Sequence, residues 1–164
     1  MEARPGGMTT EALSSTADLE DAREQLLQSF AGLAEVLLDK ANVVGEWSIR
    51  QVMSHIAVWD RWGVETLAAL QRGESPPPPD ETVMNTAAQV RYAQASPAEI
   101  LRDISAARMP LLSRLAAMSD EESARPVYRM GEHLLAADDL AEGFIDHDLE
   151  HASEIRAWRK ARGL

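Results

Sequence analysis

The sequence predicts an all-α protein, a four-helix bundle, and three observations carry that prediction. Apolar residues recur at helical spacing along most of the chain, in four stretches of about 20 residues each. No stretch shows the strict apolar/polar alternation of a strand. The length, 164 residues, suits one domain that buries a real core without covalent staples.

Residues 1–15, rich in Gly, Thr and Ser, read as a flexible tail, and 16–164 as the single folded domain. Ser15-Thr16-Ala17-Asp18 forms a capping-box pattern. The first helix is expected over 17–39, with Leu19, Leu26, Phe30, Leu33 and Leu37 on one stripe. A loop containing Gly45 leads to Ser48, an N-cap for a second helix over 49–72 whose buried face holds Ile49, Val52, Met53, Ile56, Trp59, Gly63, Leu67 and Leu70. Gly73 ends it, and Pro76 to Pro79 form an extended linker, since proline fixes φ and lacks the N–H a helix needs. A shorter helix fits 81–94.

Ser96-Pro97-Ala98-Glu99 offers an N-cap, a first-turn proline and a capping-box glutamate, so the third long helix starts there. Pro110 should kink or divide it. Ser119 to Glu122 read as a turn or short helix, and 124–137, with His133 on the surface, carry no clear signal. The fourth helix begins near Asp138 or Asp139 and runs to Arg162, with Gly163 beyond it. The connection over 73–96 is longer than an antiparallel hairpin needs. It lets the second and third long helices run parallel, giving an up-down-down-up order.

Against 16 Lys+Arg stand 27 Asp+Glu, a net charge of −11, which argues against binding nucleic acid or an anionic membrane surface. The basic residues Arg156, Arg159, Lys160 and Arg162 suit a helix C-terminus through its dipole. No apolar run is long enough to span a bilayer and the N-terminus has no apolar leader core, so a cytoplasmic location is expected. There is no cysteine, so any metal site must be built from nitrogen and oxygen donors.

That makes the four histidines worth placing. His147 and His151 stand one helical turn apart on the seam that also holds Leu140, Phe144, Ile155 and Trp158, where they could chelate one cation. Two imidazoles on a core-facing seam are costly unless partnered. The alternative is a pair of core histidines bonded to carbonyls or carboxylates. HDLEH also fits the H-x-x-E-H protease pattern with Glu150 as base, but Glu150 lies about 100° around the helix from His151, off the seam. His55, beside the second helix's stripe with Trp59 and Trp62 on the same flank, is the natural third ligand, or else a histidine at a helix boundary.

The segment GEWSIRQVMSHIAVWDRW, with Gly45, Trp47, Ser48, His55 and Trp59, together with His147, His151 and Ile155, resembles the DinB-like (YfiT-like) metal-binding family, over roughly 17–162. Asn85 resembles an asparagine of one subgroup. The resemblance implies a four-helix bundle of up-down-down-up topology, a homodimer, and a metal held by His55, His147 and His151. It also brings in relatives that use a low-molecular-weight thiol, such as bacillithiol or mycothiol transferases, and a maleylpyruvate isomerase.

Three neutral imidazoles leave a divalent ion open positions, and nitrogen donors suit zinc or nickel. Asp60, Asp148 and Glu154 are candidates by helical position to accept from the other ring nitrogens. Trp47, Trp59, Trp62 and Trp158 are candidates for an apolar pocket wall; the alternative is core packing, preferred for Trp158 and open for Trp59. The expected function is a metal-dependent enzyme acting on a small molecule, a thiol-transferase or hydrolase. The alternatives are a non-catalytic binding or stress-protection module, and a structural dimer in which the histidines only pack and Ile145 and Leu149 face a partner.

Overall fold

The computed structural model describes residues 10–164, with side chains from Thr16 onward. Four long helices, α1 (Thr10–Phe30), α3 (Ile49–Gln71), α5 (Pro97–Ala116) and α7 (Ala137–Lys160), make the bundle. Between them lie α2 (Glu35–Leu38), α4 (Glu81–Arg91), α6 (Asp120–Ser123) and a hairpin of β1 (Tyr128–Met130) and β2 (His133–Leu135).

Side-chain pairs fix the helix directions. Arg23 on α1 meets Asp148 on α7, and Arg159 donates to the Ser29 carbonyl at 3.0 Å, so the two helices run parallel. Arg50 donates to the Ala95 carbonyl at 2.8 Å and Arg114 to Gln71 at 2.6 Å, so α3 and α5 are also parallel. His55 sits against His147, and Gly63 against Phe144, so α3 and α7 are antiparallel. The order is up-down-down-up, as the long connection predicts. That connection returns the chain along the bundle and carries α4, which packs on α3.

The caps show why the helices start where they do. Ser48 and Gln51 form a capping box at the head of α3, and Ser96 and Glu99 another at the head of α5, where Pro97 holds the first position. Asp80 caps α4 by accepting from the Val83 N–H at 3.0 Å. Asp139 reaches back to accept from the Ala136 N–H at 2.6 Å and opens α7.

Five points differ from the sequence reading. The first helix starts at Thr10, so Ser15 lies within it and does not cap it; residues 1–9 of the expected tail lie outside the described residues. The same helix stops at Phe30, because Gly32 turns the backbone left-handed at φ 75° and the chain restarts as α2. The shorter helix expected over 81–94, α4, ends at Arg91. Pro110 does not divide α5: it lies on the exposed face, where the carbonyl its ring leaves unbonded is open to solvent. The stretch 124–137 is a hairpin, paired Tyr128 to Leu135 and Met130 to His133 and turned by Gly131 at φ 62°. Its strands of three residues are too short for an alternation pattern.

Two apolar clusters fill the bundle. One gathers Leu26, Ile49, Ile56, Ile100, Ile104 and Ile155; the other gathers Leu19, Leu67, Leu111, Tyr128, Leu140 and Phe144. Ile145 packs against the second cluster, so it does not stand free for a partner.

Between the clusters each long helix contributes one buried charge: Arg23, Asp60, Arg108 and Asp148. Arg23 donates twice to Asp148, both at 2.9 Å, and to both oxygens of Asp60 at 2.9 and 3.2 Å. Arg108 donates to Asp60 at 3.0 and 3.2 Å and to Asp148 at 3.0 Å. The forked guanidinium geometry suits such two-pronged pairing.

Gly63 is set by packing. A Cβ there would lie 2.4 Å from Phe144 Cζ and 2.7 Å from its Cε2. Gly63→Ala gains about 1 kcal/mol of helix propensity but overpacks a site of typical cost about 1–3 kcal/mol. At so short an approach the clash wins, and urea unfolding should show a net loss of about 1–2 kcal/mol.

Candidate metal centre and its cleft

His55 comes from the second turn of α3, which Ser48 caps, and His147 and His151 from successive turns of α7. The antiparallel crossing brings their rings together. His55 Nε2 lies 2.6 Å from His147 Nε2, and His151 Nε2 lies 3.2 Å from the same atom. Among the described residues these three form a cluster able to hold a metal, their ligand atoms all within 4.8 Å of one another.

The outer ring nitrogens decide which protons are present. Trp59 Nε1, which can only donate, lies 3.2 Å from Asn85 Oδ1, so that amide atom is the oxygen. The same oxygen lies 2.7 Å from His55 Nδ1, which must therefore donate, leaving His55 Nε2 with a free lone pair. His151 Nδ1 lies 2.9 Å from Glu154 Oε2, to which it can only donate, so in the neutral ring the lone pair sits on Nε2.

Burial, opposed by the Asn85 hydrogen bond and helped by the neighbouring His151, holds His55 down to about 4. Burial first, then its imidazole neighbours and the charges of Arg23 and Arg108, holds His147 down to about 2. At neutral pH both rings are uncharged. On His55 and His151 the outer nitrogen is anchored while Nε2 turns toward His147, the arrangement a divalent ion needs. The donor set therefore fits a metal.

The rings open into a cleft of ≈ 550 Å³. Trp47, Trp59, Trp62 and Phe144 form aromatic wall, with Trp47 and His55 rings 5.1 Å apart and Trp59 and Trp62 rings 5.4 Å apart. Trp47 is placed by a tight turn in which it bonds Val44 through its N–H at 2.9 Å. Met130 and Leu135 of the hairpin line the far end. The hairpin is anchored by the fully buried Tyr128, whose hydroxyl donates to the Pro77 carbonyl at 3.3 Å.

Of the residues singled out by sequence, His55, His147, His151, Trp59, Trp62, Asn85 and Glu154 all lie in this cleft. Asp148 and Asp60 do not accept from a histidine. They face the other way, into the buried charge layer, because Arg23 and Arg108 occupy their oxygens. His133 is exposed on β2, away from the centre, and Trp158 is core. Glu150 lines the cleft but is exposed. Sequence reasoning missed Glu81, Gly143 and the hairpin's contribution. It also missed Arg23 and Arg108, although each sits where an apolar stripe calls for a core residue.

Comparisons with known proteins fit this geometry. The chain is similar in fold to YfiT from Bacillus subtilis, described as a probable metal-dependent hydrolase with an unusual four-helix bundle topology. The TM-score is 0.78 at 17% identity, covering 99% of this chain and 94% of YfiT. An uncharacterised protein from Clostridium difficile (TM-score 0.79, 15% identity, 94% and 98% covered) and a protein from Streptococcus pneumoniae (0.78, 15%, 96% and 93%) share the fold. A search of curated protein sequences gives no match. The model of the DinB superfamily matches residues 18–155, nearly the whole of the bundle, and the chain belongs to that superfamily.

Proposed function

We propose that this chain is a divalent-metal-dependent enzyme acting on a small molecule bound in the cleft, of the hydrolase type described for YfiT. The observation that supports it most directly is the pair of bare Nε2 atoms on His55 and His151 converging on His147, each kept bare by a partner on its outer nitrogen. His55, His147 and His151 would hold the ion, zinc or nickel by donor type. When bound, the ion supplies Lewis acidity that polarises a substrate oxygen or activates water. Asn85 and Glu154 orient the ligating rings, and the aromatic wall excludes water from one side. A low-molecular-weight thiol as co-substrate is the alternative within the same site; with no cysteine in the chain, the sulfur would come from the ligand.

Purification without chelators, followed by metal analysis by mass spectrometry, should find about one equivalent of zinc or nickel per chain, or uptake to that level on titration. Less than about a tenth of an equivalent with no uptake overturns the reading. A small-molecule thermal shift that survives His151→Ala would instead favour a non-catalytic binder.

A further inference from the structure

The charge around the cleft mouth is one-sided. Asp139, Asp146, Glu150 and Glu154 line it from α7 and Glu81 from α4, and no Lys or Arg lines it among the described residues. Two of the five have structural work: Asp139 caps α7 and Glu154 holds His151. Glu81, Asp146 and Glu150 have no hydrogen bond or ion pair among the described residues, and all three are exposed. Asp146 and Glu150 stand one turn apart, on a ridge beside that of His147 and His151. Glu81 stands one turn before Asn85 on α4, the element across the cleft.

A second observation is independent of charge. Gly143 sits in the middle of α7 and lines the cleft. A glycine there weakens the helix, yet a Cβ at Gly143 would meet nothing within 4 Å. Packing therefore does not require it, in contrast to Gly63. A mid-helix glycine with open space before it leaves room for another molecule to approach the backbone closely. It lies one turn before His147 and beside Phe144.

We propose that the cleft selects an amine-bearing small molecule with an apolar body: the body lies over Gly143 against Trp62 and Phe144, and the cationic group is held by Glu81, Asp146 and Glu150. This rests on reading the cleft as a substrate site and names the substrate's class. Aromatic faces add to the preference, since they attract cations as well as apolar groups. A small molecule carrying several carboxylates or phosphates would meet repulsion at the mouth and no compensating base.

The test compares three probes of similar size by titration calorimetry: 2-phenylethylamine, 3-phenylpropionate and 3-phenylpropanol. Each is titrated into the protein as purified and after chelator treatment, and metal content is measured on every sample. In the chelated protein no cation attracts the carboxylate, so the rim acts alone. The amine should bind at least about tenfold tighter than the carboxylate there, and the preference should shrink as salt is raised, because the rim charges are exposed. The triple variant E81Q/D146N/E150Q should bring amine and carboxylate within about twofold of each other while binding the neutral alcohol as before.

Gly143→Leu should weaken all three probes and leave metal content unchanged, and Gly143→Ala should raise the melting temperature. Equal or tighter binding of the carboxylate, an amine preference that survives the triple variant, or no binding of any probe at millimolar concentration overturns the proposal. A chain that takes up no metal but prefers the amine overturns the metal reading alone. One that holds metal without the preference overturns only the charge selection.

Discussion

Asp148→Asn should destabilise the metal-free protein by about 3–5 kcal/mol, although it changes one atom. Asp148 is 0% exposed and accepts from both Arg23 and Arg108. Asn keeps the shape and removes the charge, leaving two guanidiniums to share Asp60 in the middle of the core. An uncompensated buried charge costs several kcal/mol even after the surroundings relax. For a chain of this length that is a fall in melting temperature of about 6–20 °C.

The second half of the test separates charge from lost contacts. Arg23→Met added to Asp148→Asn restores charge neutrality, with Arg108 paired to Asp60. The double variant should therefore cost less than the sum of the two single variants, by at least about 1 kcal/mol. Additive costs would show that the four groups do not act as one layer. All measurements belong in chelator, because Asp148 follows His147 directly and a shifted helix would also change metal affinity.

That layer shows where sequence reading succeeds and where it stops. The helices, their caps at Ser48 and Ser96 and the parallel crossover follow from local signals: a 3.6-residue period, a serine three residues before Gln51 or Glu99, and a connection too long for a hairpin. The histidine trio follows from seam position and family resemblance together. Arg23 was hidden because its partners are 37 and 125 residues away. Its signal was present, since it stands between Leu19 and Leu26 on a stripe otherwise apolar, as Arg108 does between Ile104 and Leu111. Charges of both signs on four facing stripes predict a buried layer, but only once the order of the helices around the bundle is known. Placing Asp60 and Asp148 behind histidines failed for the same reason: position on one helix says which way a carboxylate points and nothing about which neighbour reaches it first. The hairpin was invisible because what holds it is the long-range burial of Tyr128 and its bond to Pro77.

His147→Ala should lower zinc affinity by more than the 10–100-fold typical of losing an outer partner, and Asn85→Leu should fall within that range. The difference in size follows from what each atom does. His147 Nε2 is the atom the other two imidazoles both face, at 2.6 and 3.2 Å. Without it two donors remain, on different helices. Asn85 touches no ligand atom, but it holds the His55 proton on Nδ1. Leucine frees that ring to rotate and to carry its proton on the ligating nitrogen, so part of the affinity goes into fixing the tautomer. Thermal melts with and without zinc check both claims. A ligand at a hundredfold over its Kd stabilises the wild type by about 2.7 kcal/mol, roughly 5–11 °C here. His147→Ala should lose nearly all of that increment, and Asn85→Leu about half or more of it at the same zinc concentration. In chelator the two variants should melt close to the wild type, because both side chains line the open cleft and not the packed core. The opposite pattern, an unchanged zinc increment with a large loss in chelator, would mean the histidines serve packing and the centre holds no metal.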